Sequence, residues 1–391
     1  MQGYTTLWNP GCDHAGIATQ AIVEKKLMRE RNVSRHALGR EAFVQEVWKW
    51  KEKYGDRIYS QIKRLGASTD WERVAFTLDP KLSRAVNEAF IRLYEEGVIY
   101  RANRLVNWSC KLSTALSNLE VDTMELKGRT MLTVPGHEPT RKYEFGVLIS
   151  FAYPIEGTDE TLVVATTRLE TMLADTAICV HPEDPRYRHL PGKRCVHPFQ
   201  DRTIPILADE MVDRTFGTGA VKITPAHDPT DFNVGKKHDL PFINLLDDTG
   251  RINANGGERF EGLMRFDARF KVLAALKEKG LYVGTQDNPM SLKICSRSGD
   301  IIEPLVKPQW WVDCSDMSAA ACAAVRNGEL KITPEASEKE WFKWLENPQD
   351  WCISRQLWWG HQIPAYHVRI QGQPTQVSYH FFFSFFFEIM S

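Results

Sequence analysis

The sequence carries almost no net charge and no paired cysteine motif. Its 49 Lys and Arg nearly balance 50 Asp and Glu, leaving a formal charge of −1. That excludes a whole-surface attraction to nucleic acid, so any such contact must come from a local basic face. The 8 cysteines are scattered, with no Cys-x-x-Cys pair. Their spacing argues against a disulfide scaffold and a strong zinc motif, and suits a reducing, cytoplasmic setting. The start, Met1-Gln2-Gly3-Tyr4-Thr5-Thr6-Leu7-Trp8, has neither a secretory signal nor an Arg-rich amphipathic leader. The phenylalanine-rich run at 381–387 is too short to span a bilayer, so no membrane partner is expected.

What is present is the composition of an ordinary folded protein: 43% hydrophobic and 25% charged over 391 residues, room for two or three domains. The first hundred residues read as α/β. Thr5-Thr6-Leu7-Trp8 is strand-like, and a helix is expected from about residue 17 to 31. Phe43, Val47, Trp50, Tyr54, Ile58, Ile62 and Leu65 recur at spacings of three and four, which predicts one long core-facing helix over 39–65. A further helix is expected over 80–96, ended by Gly97, followed by short strands at 98–100 and 105–108.

The pattern then changes. Between 130 and 225, short β-type runs at 146–153, 161–166, 177–181 and 219–224 are separated by Pro, Gly and Asp. They predict a β-rich, barrel-like insertion. A helix over 267–279 follows, and an α/β pattern resumes at about 307. The expected organisation is an α/β, partly Rossmann-like domain over 1–113 and 307–368, interrupted by a β-rich domain over 114–306. Residues 369–391 read as an unstructured, phenylalanine-rich tail foreign to the fold.

Two stretches carry candidate chemistry. Phe216 to Asp231 runs from a Gly-Thr-Gly turn into Val221-Lys222-Ile223, with Lys222 opposite the apolar pair, and then sets out His227, Asp228 and Asp231. Two carboxylates three apart share a helix face and suit a cation or an ammonium group. The alternative is a solvated loop and helix start, with Asp228 as cap and Asp231 complementing the macrodipole. The second stretch, Val163 to Thr171, ends a β-branched run in Thr166, Thr167 and Arg168, groups suited to an anionic or ribose-bearing ligand. Asp13 and His14 precede the first helix, either as a cap or as a carboxylate aimed into a cleft at a strand end.

These stretches resemble the class I valyl, isoleucyl and leucyl aminoacyl-tRNA synthetases. The resemblance rests on Trp8 to Gln20, Val106-Asn107-Trp108-Ser109-Cys110, Thr166 to Thr171, Phe216 to Asp231, Lys307-Pro308-Gln309-Trp310 and Trp351 to Pro364. Ala15-Gly16-Ile17-Ala18-Thr19-Gln20 points to the valyl members, of eukaryotic cytosolic type. The family's activity is ATP-dependent attachment of valine to tRNA(Val), using magnesium, with hydrolytic editing of threonyl-tRNA(Val) that needs no cofactor.

By that resemblance Asp231 binds the threonine ammonium and Asp228 its side-chain hydroxyl. Lys222, Thr166, Thr167 and Arg168 line the pocket around the ester and ribose, and Phe216 packs on a base of the tRNA end. His227 reads as structural rather than as a base. Asn9, Pro10, Asp13, Gln356 and Trp359 border a valine site. Relatives that bind zinc carry Cys-x-x-Cys pairs where this sequence has single cysteines, Cys110 and Cys295, so no zinc is expected. The family's ATP motifs, His-x-Gly-His and Lys-Met-Ser-Lys-Ser, are absent from the sequence. The expectation is therefore an internal fragment in which editing survives and adenylation does not. The expected partners are the acceptor end of tRNA(Val), valine and threonine, with no DNA. The alternative is a non-catalytic tRNA-binding or protein-interaction fragment.

Overall fold

Chain contacts divide a computed structural model of the protein, which describes residues 3–368 and 378–380, into two units. One joins 1–101 to 310–391 and the other is continuous over 102–309. None of the described helices is long and apolar enough to cross a membrane.

In the first unit, helix Gly16–Arg31 buries Ile17, Val23 and Leu27, and helix Arg40–Tyr54 buries Phe43 and Val47. Val23, Leu27, Phe43 and Val47 form one cluster with Trp359. Gln20, 1% exposed, ties in the same segment: its Oε1 accepts the amides of Trp358 and Trp359 at 2.9 and 3.2 Å. The single long helix expected over 39–65 is broken. It ends at Tyr54, and a second helix runs Arg57–Arg64. At Gly55 a Cβ would lie 2.6 Å from the Lys51 carbonyl oxygen, so the tight exit admits only glycine without a shift. The break takes the apolar stripe off the core, leaving Tyr54, Ile58 and Leu65 exposed at the surface.

The expected strand at 5–8 does not form. Tyr4, Leu7 and Trp8 are exposed, and pairing begins instead at Gly11–Cys12, parallel to Ala75–Phe76. Helix Pro80–Glu95 starts with proline at its first position, where no amide donor is missed. Its Phe90 packs with Ile99, Trp310 and Val312. Tyr366–Val368 pairs antiparallel with Ser378–His380, so part of the segment expected to be structureless contributes a short strand. The phenylalanine run at 381–387 lies outside the described residues.

The second unit is β-rich. Strands Tyr282–Asp287, Val147–Pro154 and Thr161–Thr166 form an antiparallel sheet in that order. Arg194–Val196, Thr203–Ala208, Ala177–Val180 and Ala220–Ile223 form a mixed sheet of four. The strand from 99 to 109 is one continuous element rather than the two expected. Helix Arg265–Glu278 buries Phe266, Ala268, Val272, Ala275 and Leu276. Among the described residues no barrel closes, and the two sheets are linked by a single bridge, Ile155 to Cys195.

Candidate active site

The two chemistry-bearing stretches of the second unit meet. Gly217 and Gly219 have φ of 57° and 76°, a left-handed turn that suits glycine. A Cβ on Gly217 would lie 3.2 Å from that of Ala165, so the missing side chain lets this turn approach the strand Thr161–Thr166. Phe216, on the same turn, is 53% exposed. On the far side of strand Ala220–Ile223, Arg168 reaches across and donates Nη1–H to the His227 carbonyl at 2.8 Å.

Lys222, opposite the apolar pair in the sequence pattern, points into the protein and is 6% exposed. Asp175, fully buried, is the reason: its Oδ1 takes the Lys222 ammonium at 2.9 Å. The ammonium also donates to Thr171 Oγ1 at 2.9 Å and Thr224 Oγ1 at 2.5 Å. These three contacts use all three ammonium protons. Asp175 further accepts the hydroxyls of Tyr153 and Thr224.

Asp231 lies in the first turn of helix Pro229–Lys237 and is 8% exposed. Its Oδ2 accepts the Thr224 amide at 2.8 Å. Burial, reinforced by the nearby Asp228 charge and opposed by Lys222, pushes its carboxyl up to about 7. Asp228 is the helix cap: its Oδ1 accepts the amides of Thr230 and Asp231 at 2.7 and 3.1 Å. Asp228 thus follows the capping alternative. Asp231 does not follow the solvated one, because it is buried and its carboxylate accepts a single hydrogen bond among the described residues.

Sequence reasoning missed the charged layer that fixes this arrangement. Glu303, 1% exposed, accepts Arg168 Nη2 at 2.5 Å and lies 3.2 Å from His227 Nδ1 on one oxygen, and takes Arg265 at 2.9 Å on the other. Burial raises the Glu303 carboxyl, but Arg168, His227 and Arg265 together hold it well below the usual carboxylate range. Arg265 also pairs with Asp300 at 2.9 Å, and Arg269 pairs with Glu170 at 2.8 Å. His227 Nε2 accepts the Leu245 amide at 2.9 Å, which assigns the proton to Nδ1, facing Glu303. With burial lowering its basicity and both nitrogens engaged, His227 is a structural hydrogen-bonding residue. The available signal was a carboxylate inside an apolar run: Asp175 within Met172 to Val180, and Glu303 after Ile301-Ile302.

The expected valine-site residues fall in the first unit. Asp13 has a side chain 71% exposed and accepts Thr77 Oγ1 at 3.2 Å. Asn9 is exposed, whereas Pro10 and Gln356 are half-buried. Trp359 is buried, and its Nε1–H donates to the His14 carbonyl at 2.8 Å. It borders a cavity of about 350 Å³ shared with Trp48, Ser83, Asn87, His361 and Gln362, which Asn9, Pro10, Asp13 and Gln356 do not line. No Lys or Arg among the described residues lines it, so its donor set does not fit a triphosphate.

A family profile described as tRNA synthetases class I (I, L, M and V) matches residues 1–380. The chain belongs to the class I tRNA synthetases. Within that family it is 62% identical over 370 residues to valine–tRNA ligase of Takifugu rubripes, covering 95% of this chain and 30% of the relative. It is 61% identical over 372 residues to valine–tRNA ligase of Homo sapiens, covering 95% and 29%. With valine–tRNA ligase of Caenorhabditis elegans it shares 60% over 369 residues, 94% of this chain and 35% of the relative. The chain therefore spans about a third of the length of these synthetases. The single cysteines Cys110 and Cys295 are both buried, and among the described residues no group of three or more His, Cys, Asp or Glu is placed to hold a metal ion.

Proposed function

We propose that the 102–309 unit is the hydrolytic proofreading part of a valine–tRNA ligase and removes threonine from tRNA(Val). The observation that carries this reading is the buried, weakly acidic Asp231 carboxylate, which accepts only the Thr224 amide among the described residues and lies in the field of Lys222, in the same stretch whose His227 carbonyl Arg168 holds. Valine and threonine are near-isosteres, and an apolar pocket rejects the added hydroxyl by only about 10²-fold, a magnitude that itself comes from a valyl enzyme. A second, polar pocket is needed to do better.

In this reading Asp231 pairs with the threonine ammonium, and Asp228, one oxygen of which caps the helix, offers the other to the threonine hydroxyl. Valine has no group for that oxygen. Thr166 and Thr167 contact the ester and ribose, and Phe216 stacks on the terminal base. Lys222 and Arg168, both held by buried carboxylates, act through their fields rather than as mobile donors. Water attacks the ester carbonyl carbon, the carbon–oxygen bond to the ribose breaks, and a neighbouring ribose hydroxyl helps deliver the proton to the leaving oxygen. Threonine and tRNA(Val) are the products.

For the longer enzyme the proposal extends to ATP- and magnesium-dependent attachment of valine to tRNA(Val). Among the described residues of this chain, the cavity beside Trp359 is lined by no Lys or Arg to meet a triphosphate. The test is hydrolysis of threonyl-tRNA(Val), with valyl-tRNA(Val) as the control ester. Selective loss of threonine by the native chain, slowed roughly 10- to 100-fold in Asp231→Ala, is the expected result. Equal stability of the two esters in the presence of folded chain would leave a binding role instead.

A further inference from the structure

The turn that carries Phe216 is gripped by a loop that takes no part in the hydrolytic reading. Residues 181–187 fold back on themselves: the Asp184 amide donates to the His181 carbonyl at 3.0 Å and the Tyr187 amide to the Asp184 carbonyl at 3.1 Å. Asp184 is 1% exposed. Its two carboxylate oxygens hold the Arg186 guanidinium as a fork, Oδ1 accepting Nε–H at 3.0 Å and Oδ2 accepting Nη2–H at 2.6 Å. A guanidinium fixed in this way has already lost rotamer freedom, so a further bond from it costs little entropy.

That further bond reaches the turn. Arg186 Nη2–H donates to the Arg214 carbonyl at 2.8 Å, and the Tyr187 hydroxyl donates to the Thr218 carbonyl at 2.8 Å. The two acceptors stand two residues before and two residues after Phe216. The guanidinium carbon lies 5.1 Å from the centre of the Tyr187 ring, so the two donors brace each other. Gly219 fits the same arrangement. A Cβ there would collide with Arg186 Nη2, so the second glycine of the Gly-Thr-Gly turn makes room for the guanidinium as well as supplying its φ. The turn's own backbone bonds, Phe216 to Asp213 and Gly219 to Phe216, span 3.3 and 3.1 Å, and the clamp adds two donors from outside it.

We infer that Arg186 and Tyr187 are positioning residues: they hold the Phe216 turn in place and thereby set how tightly the substrate is gripped, without touching the ester. The hold on the turn stands on this geometry alone. The effect on the substrate rests on the proofreading reading, in which Phe216 supplies a stacking face.

The experiment measures amide hydrogen exchange over 213–220 by mass spectrometry in the full chain, in Tyr187→Phe and in Arg186→Gln. Arg186 is exposed and Tyr187→Phe keeps the half-buried ring, so both variants retain the fold. Exchange over this segment should quicken about fivefold in each and stay unchanged over helix Pro229–Lys237. Kinetics with threonyl-tRNA(Val) supply the second readout. KM should rise about three- to tenfold in Tyr187→Phe with kcat unchanged, and the rise should vanish in a Phe216→Ala background. Unchanged exchange in both variants would overturn the inference, and so would a KM effect that persists without Phe216 or a fall in kcat at constant KM. A native chain that hydrolyses neither ester while the exchange result holds would remove the proofreading reading and leave the clamp standing.

Discussion

Asp231 and Asp13 are assigned the same ligand group, an amino-acid ammonium, in the two different units, and the structure treats them differently. Asp231 is 8% exposed and its carboxyl is pushed up to about 7, so desolvation outweighs the attraction of Lys222. Asp13 has a side chain 71% exposed and meets Thr77 and His14 at the rim of its unit. A buried carboxylate with one satisfied oxygen has an unmet demand for a cation, and an exposed one is served by water. The second unit is therefore the better prepared of the two to capture a free ammonium.

The severest test of this contrast lies at the support of the buried site. Asp175→Ala strips the counter-charge from Lys222 and leaves an unpaired buried ammonium, which costs about 3–5 kcal/mol. Chemical denaturation should show that loss, while Asp13→Ala moves stability by no more than about 0.5 kcal/mol. A small change in Asp175→Ala would mean that Lys222 reaches water and that the pair is not a structural anchor.

Acid–base behaviour separates the two carboxylates further. The Asp231 carboxyl is raised in the folded state above its usual 3.8, so the folded chain holds a proton that the unfolded chain releases between about pH 4 and 7. The stabilisation this gives is complete below about pH 4 and is lost as pH rises through about 7, a swing of roughly 3–5 kcal/mol. Asp231→Asn removes that swing, so its stability relative to the native chain should climb across this window. Ammonium capture needs the ionised form, so hydrolysis of threonyl-tRNA(Val) should rise with pH through the same range. A flat profile between pH 5 and 8 would contradict the burial argument.

Smaller effects are expected on function and on the cap. A hydrogen bond to a charged group is worth about 1.5–3 kcal/mol, so Asp231→Ala should lower kcat/KM for threonyl-tRNA(Val) roughly 10- to 100-fold, with Asp13→Ala unchanged. Asp228→Ala removes the cap of helix Pro229–Lys237 at a cost of about 1 kcal/mol, read as a fall in Tm. If Asp228 also meets the substrate hydroxyl, the same variant narrows the preference for threonine over valine.

The elements that could be read from sequence were those whose signals are local. The run at 161–166 and the helix ended by Gly97 needed only alternation, periodicity and a terminator. The helix expected over 39–65 failed at Gly55 because an unbroken apolar stripe carries no information about a steric exit against the Lys51 carbonyl. Barrel closure failed for a similar reason: β-type runs do not record which edges pair. In the candidate site, Asp228, Asp231, Thr166 and Arg168 could be singled out because they cluster in short motifs. Asp175, Arg265 and Glu303 were not, since each is meaningful only beside a partner distant in sequence.

Glu303 lies 135 positions after Arg168 and 76 after His227, and it binds both. During synthesis the two motif-bearing stretches leave the ribosome long before the residue that locks them together. The candidate pocket is in this sense a late product of translation. It stays open until the chain has passed residue 303, and a stall or break before that point yields a unit with every motif residue present and no fixed register between them.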